Sequence, residues 1–516
     1  MRPEYLAPLL VVMTAIIAGM HAVDATPVGV FYDDALYVIL GKSLMSGQGF
    51  RYLNLPGAPV ATHYPPGYPA LLAVLWRISP EFPENIALFK TANAMLLGVV
   101  AFFVYRFATT RLEMPWGAAV FAAIAGTVAI PALVLSSAVM SEVLFLALLL
   151  PFLVKAEAAV RRDGVFRAAL VGGGAALLLY FRAHALVLIP AVALAYLINR
   201  KRREAIVATL VGAALVSPWF MWVAAHDGGI PAPLRGSYGS YGAWLSDGVR
   251  AEGLGLLLTA TRENVATINA IVERSFGIAP NVVLRALAVV AVLLLCVAGS
   301  VVWFKRARLT LLFMALYMTL VVIWPFSPLR FVWGVWPLFV LMMVSGVRYL
   351  LRFDSASLRW QGRMRVLGAA AGTLALIGAL NFNVRGYANA WWASVARSVG
   401  PRIHPQLVWV ASRTVPTDVV AADDEGAVYL YTGRRAVPSS AFTAAQFLRS
   451  TSPAENAESM AIVLRAFAPT YVVAWAVPTT QAAMLLSQRR PPLLTPIDSI
   501  PGGRVFRRSA TEERTR

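Results

Sequence analysis

The sequence predicts a polytopic α-helical membrane protein of about eleven transmembrane helices, with a small C-terminal α/β domain outside the membrane. Three observations carry this. Of 516 residues, 59% are hydrophobic and only 14% charged, where a soluble domain carries about 25% charged residues. Apolar runs of roughly 20 residues recur, the length that crosses a hydrocarbon core of about 30 Å. After residue 381 the long runs give way to short strand-like and helix-like patterns.

The expected spans are 6–23, 84–106, 115–135, 138–158, 165–181, 184–199, 204–224, 281–304, 307–325, 329–351 and 363–381. The first is read as a retained helix, because no small-residue cleavage site follows it and further spans do. The basic residues test the parity. Arg106 and Arg111, Lys155 with Arg161 and Arg162, the RKRR run 200–203, Lys305 with Arg306 and Arg308, and Arg352, Arg359, Arg363 and Arg365 all fall on one side. Positive loops mark the cytoplasm. This orientation puts the N-terminus inside. The first loop (24–83), the long loop 226–280 and everything after residue 381 lie outside.

The net charge of +19 therefore reflects membrane anchoring, and nucleic acid is excluded as a partner. A single cysteine, Cys296, lies within an apolar run. It permits no intrachain disulfide and no cysteine metal site.

Two segments resist assignment as spans. PPGYPALLAVLWRI (65–78) is short and opens on paired prolines, so it reads as re-entrant or interfacial. The segment 254–277 carries Arg262, Glu263 and Asn264 in mid-run and reads as an interfacial amphipathic helix. Counting either as a span would invert every basic loop beyond it. The GGG at 172–174 lies inside a span and reads as close helix packing. The domain division is thus 1–381 in the membrane and 382–516 outside. In the latter, 418–437 reads strand–helix–strand and 468–475 a buried strand. The segment AVPTTQAAMLLSQRR reads as a helix, and the end as a hairpin turning at Pro-Gly-Gly.

Candidate chemistry gathers on the outer side. Asp33 and Asp34 open a helix-like run after Phe31 and Tyr32, and His63 and Tyr64 return polar groups before the paired prolines. Two readings of the acidic pair stand. One is a helix N-cap satisfying free backbone N–H groups. The other is a catalytic pair, one carboxylate taking a proton and the second holding geometry or a divalent cation. Arg182 and His184 at one outer turn, and Arg330 at another, run against the positive-inside trend. They read either as headgroup contacts or as a phosphate pocket. Glu142, at the outer start of a span after Ser141, reads as facing the bundle interior or as a dipole partner. ADDEG (422–426) reads as a strand-end turn capping a helix. No HExxH, Walker or GxSxG motif occurs.

An acidic pair in the first outer loop, a PPxYP-type segment, many spans and a C-terminal outer domain resemble the polytopic glycosyltransferases of the GT-C fold. The resemblance is to the bacterial group related to protein O-mannosyltransferases and lipid A aminoarabinose transferases. It covers the whole chain in layout and is sharpest over 31–76, with echoes at 141–142, 180–184, 217–219 and 329–337. The acidic pair is often Asp-Glu in that group and is Asp-Asp here, which leaves the base and any metal open.

The resemblance implies a bacterial inner-membrane enzyme that moves a sugar from a polyprenyl-phosphate donor to a glycan, lipid or protein acceptor. Asp33 or Asp34 would be the base, Arg182, His184 and Arg330 the donor-phosphate site, and Tyr32, His63, Tyr64 and Glu142 acceptor or cavity-lining groups. Direct displacement would invert the sugar carbon. No cofactor is assigned beyond the polyprenyl-phosphate sugar as co-substrate, and a divalent cation on Asp33 and Asp34 remains open. A transporter or flippase of lipid-linked precursors is the rival. It predicts inverted repeats and broken midplane helices, neither of which is evident.

Overall fold

The computed structural model describes residues 3–24, 27–278, 281–355 and 357–509. Helices form at all eleven predicted segments: Pro3–Ala22, Ile86–Thr110, the pair Trp116–Thr127 and Ile130–Ser137, Glu142–Val160, Val165–Leu179, Leu188–Ile198, Arg202–His226, Val282–Arg306, Arg308–Ile323, Trp336–Leu351 and Leu358–Ala388. Among the described residues, five of these are long and apolar enough to cross a bilayer. Six are reached if the bent pair counts as one span.

The sequence expects one straight run over 115–135, and the chain instead bends by 49° between the two helices of that pair. Pro131 sits in the first turn of the second helix, where its missing N–H costs nothing. The Ile130 N–H, freed by the break, donates to Asn383 Oδ1 at 2.8 Å. Val165–Leu179 has 15 residues, or about 22 Å of helix. Its chain continues through Tyr180–Arg182 into a 3-10 turn, Ala183–Val187. Irregular backbone of this kind is tolerated in an apolar bundle where it lines a cavity.

The two ambiguous segments are helical: Gly67–Ile78 and Gly255–Phe276. The last apolar helix runs past residue 381 to Ala388, and Ser394–Arg413 leads on to the sheet. The strands are β1 (Val419–Ala422), β2 (Arg435–Pro438), β3 (Tyr471–Ala474), β4 (Leu494–Ile500) and β5 (Gly503–Arg508). Their order is β2-β1-β3-β5-β4. β1 pairs parallel with β2 and with β3, each crossover carrying helix, and β4 and β5 close as the expected antiparallel hairpin. β1 and β3 are almost wholly buried, as strands covered on both faces are.

Two large apolar clusters organise the described chain. One runs through the helical bundle. The other joins Val28, Leu36, Ile39 and Tyr68 of the first loop to Ala421, Val437, Val472 and Phe506 of the sheet domain. The first loop and the C-terminal sheet therefore share one core. Gly426 shows how close they lie: a Cβ there would stand 2.7 Å from Ala35 Cβ.

Candidate active site

Asp33 and Asp34 begin the helix Asp33–Met45 and point in different directions. Asp34 is 2% exposed. Its Oδ2 accepts from the Gly29 N–H at 2.9 Å, and its Oδ1 from the N–H groups of Phe31 (3.2 Å) and Ala35 (2.9 Å). Three backbone donors make it the clasp of the loop. Burial pushes its carboxyl up to about 6 despite those bonds. Asp33 faces the other way. Its Oδ2 meets Arg330 Nη1 at 2.6 Å, and its Oδ1 accepts from the Tyr64 hydroxyl at 2.7 Å.

Arg330 is the junction of the site. Its Nε and Nη2 both lie 2.9 Å from Glu142 Oε1. Arg182 Nη1 reaches the same oxygen at 3.0 Å and donates to Ser141 Oγ at 3.2 Å. Ser141 also shares a hydrogen bond with the Tyr37 hydroxyl at 3.1 Å. Two carboxylates and two guanidiniums thus form one chain, Asp33–Arg330–Glu142–Arg182. Glu142 is fully buried, whereas Asp33 and Arg330 are partly exposed. Phe331 completes the wall, 4.4 Å from the His184 ring and 5.7 Å from the Arg182 guanidinium.

Local sequence explains how these groups meet. Asn93 Nδ2 donates to the Tyr68 hydroxyl and to the Ala138 carbonyl, tying the helix Ile86–Thr110 to the turn before Ser141. The Gly67 N–H donates to the Tyr180 carbonyl at 2.7 Å. A Cβ at Gly67 would fall 2.6 Å from the Phe181 ring and 2.7 Å from that carbonyl. Only glycine lets the PPGYP segment dock against the YFRAH turn, which sets Arg182 across from Asp33.

These groups border a cavity of about 1180 Å³, larger than the roughly 300–1,000 Å³ of most small-molecule pockets. Of the expected residues, Asp33, His63, Arg182, His184 and Arg330 line it. Asp34, Tyr32, Tyr64 and Glu142 stand behind that wall: Tyr64 and Glu142 back the lining groups, and Tyr32 turns away to donate to Glu425 at 2.9 Å. His63 Nδ1 lies 2.6 Å from the Gly239 carbonyl, which makes Nδ1 the protonated nitrogen. Burial holds its basicity below the usual value.

Sequence reasoning missed Tyr37, Tyr241 and Arg385, which also line the cavity. Tyr37 was findable, since it lies one helical turn after Asp33 on the same face. Tyr241 and Arg385 carry no local signal. The donor set does not suit a divalent cation. The two aspartates diverge, Asp33 is engaged by a guanidinium, and no three His, Cys, Asp or Glu side chains gather as a metal site among the described residues.

No family profile matches the chain, and no curated protein matches it in sequence. Solved structures do. The crystal structure of ArnT from Cupriavidus metallidurans bound to undecaprenyl phosphate aligns with a TM-score of 0.51 at 12% identity, over 98% of each chain. The apo structure of ArnT from the same organism aligns with the same score and coverage at 11% identity. Over 98% of its length the chain therefore has the fold of these ArnT structures.

Proposed function

We propose that the chain is a membrane glycosyltransferase that takes its sugar from a polyprenyl-phosphate donor on the extracytoplasmic side. The observation that carries this is Arg330, which holds a carboxylate on each side at the wall of a large cavity. The undecaprenyl phosphate bound in the similar ArnT structure supports the same class of donor. On this reading the long apolar helices cross the inner membrane, and the sheet domain lies outside with the cavity.

The chemistry follows from the residues. A phosphate entering beside Arg330 and Arg182 exchanges their carboxylate contacts for bidentate contacts to its own oxygens. His184, on the same wall, faces the same anion. Asp33 is the base: released in part from Arg330, it accepts the proton of an acceptor hydroxyl or amine. The acceptor atom bonds to the anomeric carbon as the bond from that carbon to the phosphate oxygen breaks. The electron pair leaves on the phosphate, where the arginines stabilise it. One displacement inverts the carbon. Asp34, with its oxygens held by backbone, shapes the loop and stays out of the reaction.

The test is transfer in proteoliposomes. Undecaprenyl-phosphate-linked aminoarabinose, mannose and glucose are supplied in turn with envelope extract, and release of undecaprenyl phosphate is followed. Release that depends on Asp33 supports the reading. Release from no donor, or full activity in Asp33→Asn, overturns it.

A further inference from the structure

Glu425 of the C-terminal domain is wholly buried at the start of the helix Glu425–Thr432. Among the described residues it forms no salt bridge with a lysine, arginine or histidine. Its Oε1 instead accepts from two tyrosine hydroxyls, Tyr238 at 2.6 Å and Tyr32 at 2.9 Å. Asn54 Nδ2 in turn donates to the Tyr238 hydroxyl at 2.8 Å. One oxygen thus joins the first outer loop, the second outer loop and the C-terminal domain.

Tyr32 precedes Asp33 in the chain and adopts φ +64°, a region that a side chain of this size enters only when its surroundings compel it. Tyr32 is the residue through which the chain enters the helix that carries Asp33 and Asp34, whose side chains diverge because consecutive helical residues lie about 100° apart. A buried carboxylate that anchors the tyrosine ring therefore fixes the direction of the neighbouring aspartate.

We infer that Glu425 is a positioning residue for Asp33, acting through the Tyr32 hydroxyl, so that the C-terminal domain sets the hold of Asp33 on Arg330. The inference rests on the functional reading above. Without the anchor, Tyr32 relaxes toward ordinary backbone geometry, Asp33 withdraws from Arg330, and the guanidinium becomes freer to bind phosphate.

The test uses the full-length protein in lipid nanodiscs, with undecaprenyl phosphate as the probe. Tyr32→Phe and Glu425→Ala are each expected to lower its Kd at least threefold, and the double variant no further than either alone. Neither substitution is expected to change the Kd in the Asp33→Asn background. Glu425→Gln, which keeps an acceptor oxygen, is expected to stay within twofold of wild type. A purely structural role would shift binding equally with and without Asp33, and that result overturns the inference. An unchanged Kd in Tyr32→Phe overturns it too, and does so even if Glu425→Ala fails to fold. Wild-type protein that binds no undecaprenyl phosphate overturns the functional reading together with the inference. Binding that ignores these substitutions overturns the inference alone.

Discussion

Arg330 Nη1 and Asp33 Oδ2 lie 2.6 Å apart although 297 residues separate them in the chain. On the proposed reading, the base and the group that receives the donor phosphate are ion-paired to each other, so that a donor phosphate competes with Asp33 for the same guanidinium.

Removing that competitor separates binding from chemistry. Asp33→Asn is expected to lower turnover by about 10²–10⁴-fold, the usual contribution of a general base. Undecaprenyl phosphate should bind more tightly to the variant than to wild type. Turnover assays alongside equilibrium binding check this, and a variant that loses both properties together would contradict it.

Arg330→Lys tests the geometry of the cation. A lysine keeps the charge but not the fork that spans Asp33 and Glu142. We expect weaker undecaprenyl phosphate binding, by about tenfold for the roughly 1.4 kcal/mol of one lost charged contact. Arg330→Gln should bind more weakly still. Equal affinity in the lysine variant and wild type would show that point charge suffices.

Glu142→Gln leaves two guanidiniums facing each other with their shared partner neutralised. Breaking a buried charge pair costs about 3–5 kcal/mol, and Glu142 is fully buried. The thermal midpoint in detergent is expected to fall clearly. Asp163→Asn, which removes the largely exposed partner of Lys201, should leave it nearly unchanged.

The pH dependence of stability has a definite sign. Burial raises Asp34 from 3.8 to about 6 and Glu425 from 4.5 to about 7. Between the unfolded and folded values, the folded chain holds more protons than the unfolded one. Stability is therefore fullest below about pH 4 for Asp34 and declines as pH rises through about 6, by about 3 kcal/mol for that group alone. Glu425 acts in the same direction through about 7. Melting curves from pH 5 to 7.5 should show Asp34→Asn with a flatter profile than wild type. A steeper profile would reverse the assignment.

Gly67→Ala probes the docking of the first loop on the Tyr180–Phe181 turn. The added methyl meets a carbonyl and a packed ring, and overpacking of this kind costs about 1–3 kcal/mol. Lower thermal stability and weaker undecaprenyl phosphate binding are expected together, because the same turn carries Arg182. Gly47→Ala is a useful contrast: a Cβ there has open space, and only its φ of +73° is strained.

Much of the architecture was legible in the sequence because its signals are local. Apolar runs marked each of the eleven helical segments, and short apolar stretches bounded by turn residues marked the five strands. The bend at residues 128–129 has a local mark in Pro131, which went unread, whereas Asn383, the acceptor of the freed Ile130 N–H, lies 253 residues away and has none. The site divides in the same way. Stray outer arginines marked Arg182 and Arg330 as needing a reason, and the structure brings both to Glu142. The separation of Asp33 from Asp34 follows from their places on one helix, where consecutive side chains point about 100° apart; which of the two would face Arg330 had no local signal. The partner that faces Tyr32 lies 393 residues downstream. ADDEG read as a capping turn, and its glutamate is where Tyr32 of the first loop and Tyr238 of the loop 226–280 meet.

The shared core of the first loop and the C-terminal sheet has a consequence for synthesis. A ribosome delivers Asp33 early, but Glu425 and the strand containing Phe506 only near the end. Until then, the loop lacks the apolar surface and the hydrogen-bond acceptor that shape it. A chain still being threaded into the bilayer thus carries Asp33 in an unfinished setting, and acquires the mature one only when its final strand docks.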